Sequence, residues 1–197
     1  EEDDRKLYNR LKNSVKDTAE NMMIVDLVRN DLGQVCEPGS VQVPVLMDIE
    51  SFASVHQMVS TITGQLRVEE NISAPRRAVR AVRAAFPMGS MTGAPKSRTM
   101  EIIDRVEQSA RGLYSGCLGF FSVSGAADFN VVIRSAVVSR TGIEIGVGGA
   151  IVALSEPEDE FEEILLKGNA LLKTISKHFS GSSQFILSDH ANAEYIA

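Results

Sequence analysis

The sequence of 197 residues has no tryptophan, only two cysteines, and fewer basic than acidic side chains. Cys36 and Cys117 have no metal-ligand spacing, and the start of the chain shows no secretion signal, so we expect both to be reduced structural residues. The net charge of −6 argues against a nucleic-acid-binding surface. The sequence therefore predicts no nucleic-acid partner.

Long hydrophobic runs are also missing, since no apolar stretch is long enough to span a bilayer. The acidic start, Glu1 to Asp4, is the reverse of the basic beginning of a signal peptide. These two absences predict a cytoplasmic protein without a membrane partner. What is present, 44% apolar residues over 197 positions, suits one domain with a sizeable core.

The spacing of apolar residues predicts one long helix over about residues 4–31, ended by Gly33. A strand-like region follows over residues 35–66, in which residues alternate on either side of His56. The rest of the pattern predicts helices over about 75–86, 95–110 and 157–179, and strands over about 117–123, 129–139 and 143–154. This order of elements predicts an α+β fold with antiparallel pairing.

The segment Phe86-Pro-Met-Gly-Ser-Met-Thr-Gly-Ala-Pro-Lys96 combines glycines, hydroxyl groups and one lysine at the start of a helix. Ser90, Thr92 and Lys96 in such a loop could bind a carboxylate or a phosphate. A P-loop is excluded, because Pro95 lacks the N–H that a phosphate cradle needs. The alternative is an ordinary Gly/Pro loop that caps a helix.

The final predicted helix carries Glu160, Glu163 and Lys167 at positions i, i+3 and i+7, which places all three on one face. Two carboxylates facing one site could hold Mg²⁺, a hard ion that prefers oxygen ligands. The alternative is that acidic residues near the helix start favour the helix dipole while Glu163 and Lys167 form an i,i+4 salt bridge.

The loop spelling GSMTGAPK closely resembles a signature of the chorismate-utilising enzymes. Other runs that resemble motifs of this family are KDTAENMMIVDLVRNDLG (16–33), SVHQMVS (54–60), RGLYSG (111–116), VIRS (132–135), GVGGAIV (146–152) and SEPEDEFEE (155–163). The resemblance covers about residues 7–179 and implies stacked antiparallel sheets with helices outside. It implies that residues 1–180 are the C-terminal part of a chorismate-binding catalytic domain and residues 181–197 a short tail.

The resemblance implies a metal site and two catalytic residues. Glu20, Glu160 and Glu163 match Mg²⁺ positions, and Lys167 matches a residue that contacts substrate and acts in catalysis. His56 matches a histidine that assists departure of the ring hydroxyl as an acid or hydrogen-bond donor, a task that suits an imidazole. The alternatives are a solvated helix face for Glu20 and a hydrogen-bonded structural histidine for His56.

The resemblance also implies contacts with chorismate. Tyr114 matches a substrate contact, for which the alternative is a packed aromatic ring with a satisfied hydroxyl. Arg134 matches an arginine that forks onto a substrate carboxylate, and a guanidinium amid valine and isoleucine would be costly to bury without an anion. The other implied substrate contacts are Ser90, Thr92, Lys96, Lys167 and the backbone N–H groups of Gly148, Gly149 and Ala150, where Ala150 replaces the family's last glycine.

The loop spelling resembles the branch of the family that replaces the 4-hydroxyl of chorismate with an amino group. The resemblance implies Mg²⁺-dependent chemistry on chorismate, with ammonia from a glutamine amidotransferase (glutaminase) subunit or fused domain, toward 4-aminobenzoate and folate. The branch that forms anthranilate and pyruvate is one alternative, and a noncatalytic chorismate-binding domain is another.

The matched region starts just past the family's Pro-Ile-Lys-Gly-Thr segment, whose lysine is regarded as the nucleophile in the 4-aminating branch. Catalysis needs its reacting groups fixed in one geometry. We therefore expect the 197-residue chain alone to be inactive on chorismate and to tend to self-associate through uncovered apolar faces.

Overall fold

A computed structural model describes residues 2–53, 55–140, 142–184, 186–188 and 194–196. Its elements, in chain order, are α1 (Glu2–Lys12), α2 (Val15–Gly33), β1 (Gln42–Ser51), β2 (His56–Thr63), α3 (Ala74–Ala85), α4 (Gly89–Thr92), α5 (Lys96–Glu107), β3 (Cys117–Phe121), β4 (Ala127–Val131), β5 (Ala136–Val138), β6 (Ile143–Ile145), α6 (Pro157–Ser180), β7 (Ile186–Ser188) and β8 (Glu194–Ile196). In the predicted tail, residues 185, 189–193 and 197 lie outside the described residues.

The strands of the described part form antiparallel pairs of neighbours along the chain: β1 with β2, β3 with β4, β5 with β6, and β7 with β8. Each pair is a two-stranded sheet, and helices separate the first hairpin from the second and the third from the fourth. The predicted α+β class with antiparallel pairing is therefore confirmed.

The prediction of one continuous helix over residues 4–31 is wrong, because the chain breaks between α1 and α2. Ser14 occupies the N-cap of α2 with extended backbone, and its hydroxyl accepts a hydrogen bond of 3.2 Å from the backbone N–H of Asp17. A serine side chain that caps a new helix competes with continuation of the previous one. The apolar spacing continues across this break and therefore does not reveal it.

The predicted strand over residues 129–139 is interrupted between β4 and β5. Arg134, in this interruption, has a φ of 51°, which a strand cannot accommodate. The strand predicted over residues 143–154 is also too long, because β6 ends at Ile145 and the glycine-rich residues that follow have no regular structure. Both deviations lie in segments that the sequence matched to substrate contacts.

Helix α2 lies at the centre of the described structure and packs against β2, α3 and α4. Its Asn21 joins it to β2: the side-chain amide donates to the Met58 carbonyl at 3.3 Å and its oxygen accepts from the Ser60 hydroxyl at 2.5 Å. A Cβ at Gly89 would lie 2.9 Å from Leu27 Cδ1, so a glycine permits the close approach of α4. These contacts fix the face of α2 that carries Glu20.

Few side chains of the described part are fully enclosed. The buried apolar residues are Val25, Cys36 and Ala78. Large apolar side chains such as Val123 and Ile151 are exposed. The buried Cys36 and the half-buried Cys117 are both free thiols, as expected. Within the described ranges, no helix has the length and apolar character required to cross a membrane.

Candidate active site

The three predicted metal-binding carboxylates, Glu20 of α2 and Glu160 and Glu163 of α6, gather around one ammonium group, that of Lys16. Lys16 Nζ makes a short hydrogen bond to Glu160 Oε1 and lies 3.6 Å from Glu163 Oε2 and 3.8 Å from Glu20 Oε1. The sequence interpretation missed Lys16, although its i,i+4 spacing to Glu20 indicated a salt bridge within α2.

Two oxygens of this cluster are buried without a hydrogen-bond partner, Glu20 Oε1 and Glu160 Oε2. Glu160 is only 3% exposed. Burial raises the pKa of the Glu20 carboxyl above its usual value, against the opposing charge of Lys16. Burial also pushes up the pKa of Glu160, but hydrogen bonds from Lys16 and Ser155 outweigh it and leave that pKa lowered. Glu160 Oε2 therefore has room for a cation or donor, whereas Glu20 Oε1 has only the Lys16 ammonium at 3.8 Å, beyond hydrogen-bond distance.

Ser155 fixes the orientation of Glu160. Its hydroxyl donates to Glu160 Oε1 at 2.5 Å and accepts from the backbone N–H of Val152 at 3.1 Å. The carboxylate at the start of α6 is thereby tied to the segment that follows the glycine run. Ser155 was quoted within the matched motif, but the sequence interpretation gave it no role.

Lys167 connects α6 to the glycine run. Its Nζ donates to the Gly148 carbonyl at 3.1 Å and pairs closely with Glu163. A Cβ at Gly149 would lie 3.1 Å from the unpaired Glu160 Oε2 and 3.8 Å from Lys167 Nζ. The run therefore lies directly against the charged face of α6, and Ala150, which follows it, is half-buried.

Tyr114 lies on the other side of the glycine run. A Cβ at Gly148 would lie 2.7 Å from its hydroxyl, and a Cβ at Gly146 would lie 2.2 Å from its ring. Burial raises the pKa of the Tyr114 phenol, while Arg111 and Arg134 act in the opposite direction. The structure thus brings the predicted tyrosine, the glycine run, Lys167 and the carboxylates together.

Arg111 joins Tyr114 to the signature loop. Its guanidinium donates to Glu107 at 2.6 and 2.8 Å and to the Met91 carbonyl at 2.7 Å, and it lies 5.9 Å from the centre of the Tyr114 ring. The hydrogen bond from Arg111 lowers the pKa of the Glu107 carboxyl and outweighs burial, which would raise it. The sequence interpretation quoted the motif that contains Arg111 but selected only Tyr114 from it.

Two of the three predicted side chains of the signature loop, Thr92 and Lys96, make hydrogen bonds within the protein. The Thr92 hydroxyl donates to the Met88 carbonyl at 3.3 Å, and Ser90 is exposed. Lys96 Nζ donates to Asp31 Oδ2 at 2.7 Å and to the Ala85 carbonyl at 3.3 Å. Because Asp31 is only 5% exposed, its carboxylate already provides the anion that Lys96 was predicted to bind from a ligand.

We expect Lys96→Met to cost about 3 kcal/mol of folding free energy, because it leaves the buried Asp31 carboxylate unpaired. Urea unfolding of the 197-residue chain would measure this loss. The matched control is Lys6→Met, which removes an exposed pair with Glu2 and Asp3 and should change stability by less than about 0.5 kcal/mol. Adding Asp31→Asn to Lys96→Met should recover much of the loss, because no unpaired charge remains.

A stable Lys96→Met variant with weakened chorismate binding would contradict the structural role of Lys96. It would favour the anion-binding interpretation of the loop instead.

The premise that Arg134 is buried is wrong, because the residue is exposed in the turn between β4 and β5. The positive φ of 51° turns the chain at this point, so the neighbouring apolar residues do not enclose the guanidinium. The charge of Arg134 acts, as the smallest contribution, against the raised pKa of the Tyr114 phenol. The assignment of Arg134 as a carboxylate-binding residue stays a prediction that burial does not support.

His56 lies at the start of β2, where both ring nitrogens have partners. Nδ1 lies 2.8 Å from the Ser51 hydroxyl and Nε2 lies 3.0 Å from Asp4 Oδ1, while Tyr8 packs edge-on at 5.7 Å. The His56 side chain is 9% exposed, but its Asp4 partner is 73% exposed. The described contacts of His56 are with α1 and β1, not with the carboxylate cluster.

The donor set at the cluster suits a hard cation, because all three candidate ligands are carboxylates and two of their oxygens are buried without a hydrogen-bond partner. Within the part of the chain that the structure describes, no three acidic, histidine or cysteine side chains form a ready metal-binding group. The ammonium of Lys16 stands among the carboxylates as the cation already present.

Antiparallel hairpins flanked by helices define an α+β protein, in which one glycine run lies against both the carboxylate cluster and Tyr114 and so marks the candidate site. A family model described as chorismate binding enzyme matches residues 1–173. The chain belongs to this family.

Within this family, the chain is similar to proteins named aminodeoxychorismate synthase. The chain is 56% identical over 168 residues to an aminodeoxychorismate synthase of Streptomyces pristinaespiralis, covering 85% of this chain and 22% of the relative. It is 46% identical over 176 residues to aminodeoxychorismate synthase component 1 of Escherichia coli, covering 89% of this chain and 38% of the relative. The chain thus spans well under half the length of these relatives.

A solved structure supports the same fold. The crystal structure of anthranilate synthase component I from Streptococcus pneumoniae matches with a TM-score of 0.75 and 34% identity, covering 86% of this chain and 38% of that chain. The fold class inferred from the sequence and the family inferred from its motifs are both confirmed.

Proposed function

We propose that this chain is part of an aminodeoxychorismate synthase, which replaces the 4-hydroxyl of chorismate with an amino group on the route to 4-aminobenzoate and folate. The observation that carries the proposal is the convergence of Tyr114, the glycine run, Lys167 and the carboxylates in a chain of the chorismate-binding family. The identity of 56% and 46% to the two relatives named aminodeoxychorismate synthase, against 42% to an anthranilate synthase component 1 of Streptomyces coelicolor, supports amination at the 4-position.

In this proposal, the substrate carboxylates are bound around Tyr114. Its phenol, which is neutral at neutral pH and whose pKa burial raises further, would donate a hydrogen bond. Arg134, exposed in the turn between β4 and β5, would supply a planar guanidinium that can fork onto a carboxylate. Gly148, which lies beside the tyrosine hydroxyl, would supply a backbone N–H group together with Gly149 and Ala150, which follow it.

Glu20, Glu160 and Glu163 would hold Mg²⁺, with the two unpaired oxygens as the first available ligands. Bound there, Mg²⁺ supplies Lewis-acid chemistry that neutralises a substrate carboxylate and eases loss of the ring hydroxyl. Lys167, held between Glu163 and the Gly148 carbonyl, places an ammonium at the edge of the same site. Its role is to balance charge on the substrate and orient it.

His56 would donate a proton or a hydrogen bond to the departing hydroxyl. Ser51 orients the ring through Nδ1, so Nε2 is the nitrogen available for that task. The exposed Asp4 carboxylate now at Nε2 would yield this position to the substrate. Ammonia would come from a glutamine amidotransferase, as a separate subunit or a fused domain. Residues 1–180 would belong to the catalytic domain and residues 181–197 to a tail.

The test is a product assay on the protein encoded by the whole reading frame that contains this chain. Incubated with chorismate, Mg²⁺ and ammonium, and coupled to the downstream lyase, it should form 4-aminobenzoate. Anthranilate as the product would overturn the proposal in favour of the anthranilate-forming branch. Chorismate binding with neither product would indicate a noncatalytic domain. The 197-residue chain assayed in parallel should bind chorismate weakly and form no product.

A further inference from the structure

We propose that Lys16 is a built-in counter-ion of the carboxylate cluster, which holds Glu20, Glu160 and Glu163 together and competes with a divalent cation for their oxygens. The inference rests on the metal site in the proposed function. It concerns a residue outside the predicted set of ligands, and it predicts that removing a positive charge strengthens metal binding.

Lys16 lies between the two helices that carry the candidate metal ligands. The Lys16 ammonium contacts a carboxylate of its own helix, Glu20, and two carboxylates of α6, Glu160 and Glu163. Its partner Glu160 lies 144 positions away in the sequence. A single side chain therefore links the two helices that carry all the candidate ligands.

The cluster brings charges of both signs together at a largely buried place. Three carboxylates converge here with two ammonium groups, Lys16 and Lys167, and Glu160 is almost completely buried. A buried carboxylate needs a cation or donors to stay ionised. Lys16 is the cation closest to Glu160. Among the described contacts of its ammonium there is no backbone carbonyl that would hold it elsewhere.

The same carboxylate oxygens would serve both Lys16 and a divalent cation. A divalent ion that took ligands from Glu160, Glu163 and Glu20 would be repelled by an ammonium fixed among them. Lys16 can leave, because a cavity of about 670 Å³ adjoins it, lined among others by Leu7, Leu11 and Leu166. Its apolar stem can lie along these leucines while the ammonium reaches water.

The experiment is a titration of the 197-residue chain with Mg²⁺ by calorimetry, repeated with Mn²⁺ by electron paramagnetic resonance. Lys16→Met should bind either ion about tenfold more tightly than the wild type, a size typical of coupling between two sites. Without metal, Lys16→Met should melt at a lower temperature than the wild type, and saturating Mg²⁺ should restore more stability to it.

Lys12→Met, a lysine on the exposed end of α1, is the matched control and should leave metal affinity unchanged. Lys16→Arg keeps the charge and adds a forked donor, so it should bind Mg²⁺ more weakly than the wild type. This second variant decides the question even if Lys16→Met fails to fold.

Equal or weaker metal binding by Lys16→Met, or tighter binding by Lys16→Arg, would overturn the competition while leaving the metal site intact. If neither ion binds the wild type or either variant, the metal site of the proposed function fails as well, and the competition fails with it.

Discussion

A Glu160→Gln variant is expected to lose most of its Mg²⁺ binding and about 2 kcal/mol of folding free energy. Glutamine has nearly the same volume but removes the charge that Lys16 pairs with, and a hydrogen bond to a charged group contributes about 1.5–3 kcal/mol. The Ser155 hydroxyl retains an acceptor, which limits the loss. In the whole enzyme, removal of this ligand should lower Mg²⁺-supported turnover at least about 100-fold.

Calorimetric Mg²⁺ titration and urea unfolding of the 197-residue chain would measure the first two effects. Glu162→Gln is the matched control, since this exposed neighbour on α6 should alter neither quantity by more than the error. Unchanged metal affinity in Glu160→Gln, with stability lost, would remove Glu160 from the ligand set and leave it as the structural partner of Lys16.

Gly146→Ala is expected to displace the Tyr114 ring and to cost about 1–3 kcal/mol or more, the usual range for overpacking. The added Cβ would lie 2.2 Å from Tyr114 Cγ and 2.5 Å from its Cβ, which are atoms close to the backbone that cannot simply rotate away. In the whole enzyme, chorismate affinity should fall together with stability, because the phenol leaves its place beside Gly148.

Spectrophotometric titration of the tyrosines would follow the ring directly, since the chain has three tyrosines and no tryptophan. Burial holds the pKa of Tyr114 above its usual value, so in the wild type this phenol ionises at higher pH than an exposed tyrosine. Displacement in Gly146→Ala should bring its ionisation down toward the ordinary pH.

The control for this substitution is Gly168→Ala in α6, where the new Cβ would make ordinary contacts of 3.5 Å with Leu172 and 3.6 Å with Val147. Alanine is the better helix former, so this variant should be neutral or slightly stabilised. A Gly146→Ala chain as stable as Gly168→Ala, with an unchanged Tyr114 titration, would show that the glycine run does not lie against the ring.

Much of the fold could be predicted because its signals are local. The periodicity of α6 and its Pro157 start, the hairpin alternation through His56, and the N-terminal proline of α3 are each expressed within a few residues. The interruptions could not be predicted in the same way. Ser14 begins a new helix within an unbroken apolar pattern, and Arg134 takes a left-handed backbone inside a run of β-branched residues.

In the candidate site, too, the features set by short spacings could be predicted and the contacts between distant residues could not. The sequence by itself determined the α+β class, the family, and the clustering of Glu160, Glu163 and Lys167 on one helix face, since these depend on residue types and short spacings. Only the tertiary structure decided that Lys96 is neutralised by Asp31 and that Lys16 is the cation among the carboxylates. These pairs join residues 65 and 144 positions apart, and a charge selects its partner by distance in space and by burial, which no local pattern records.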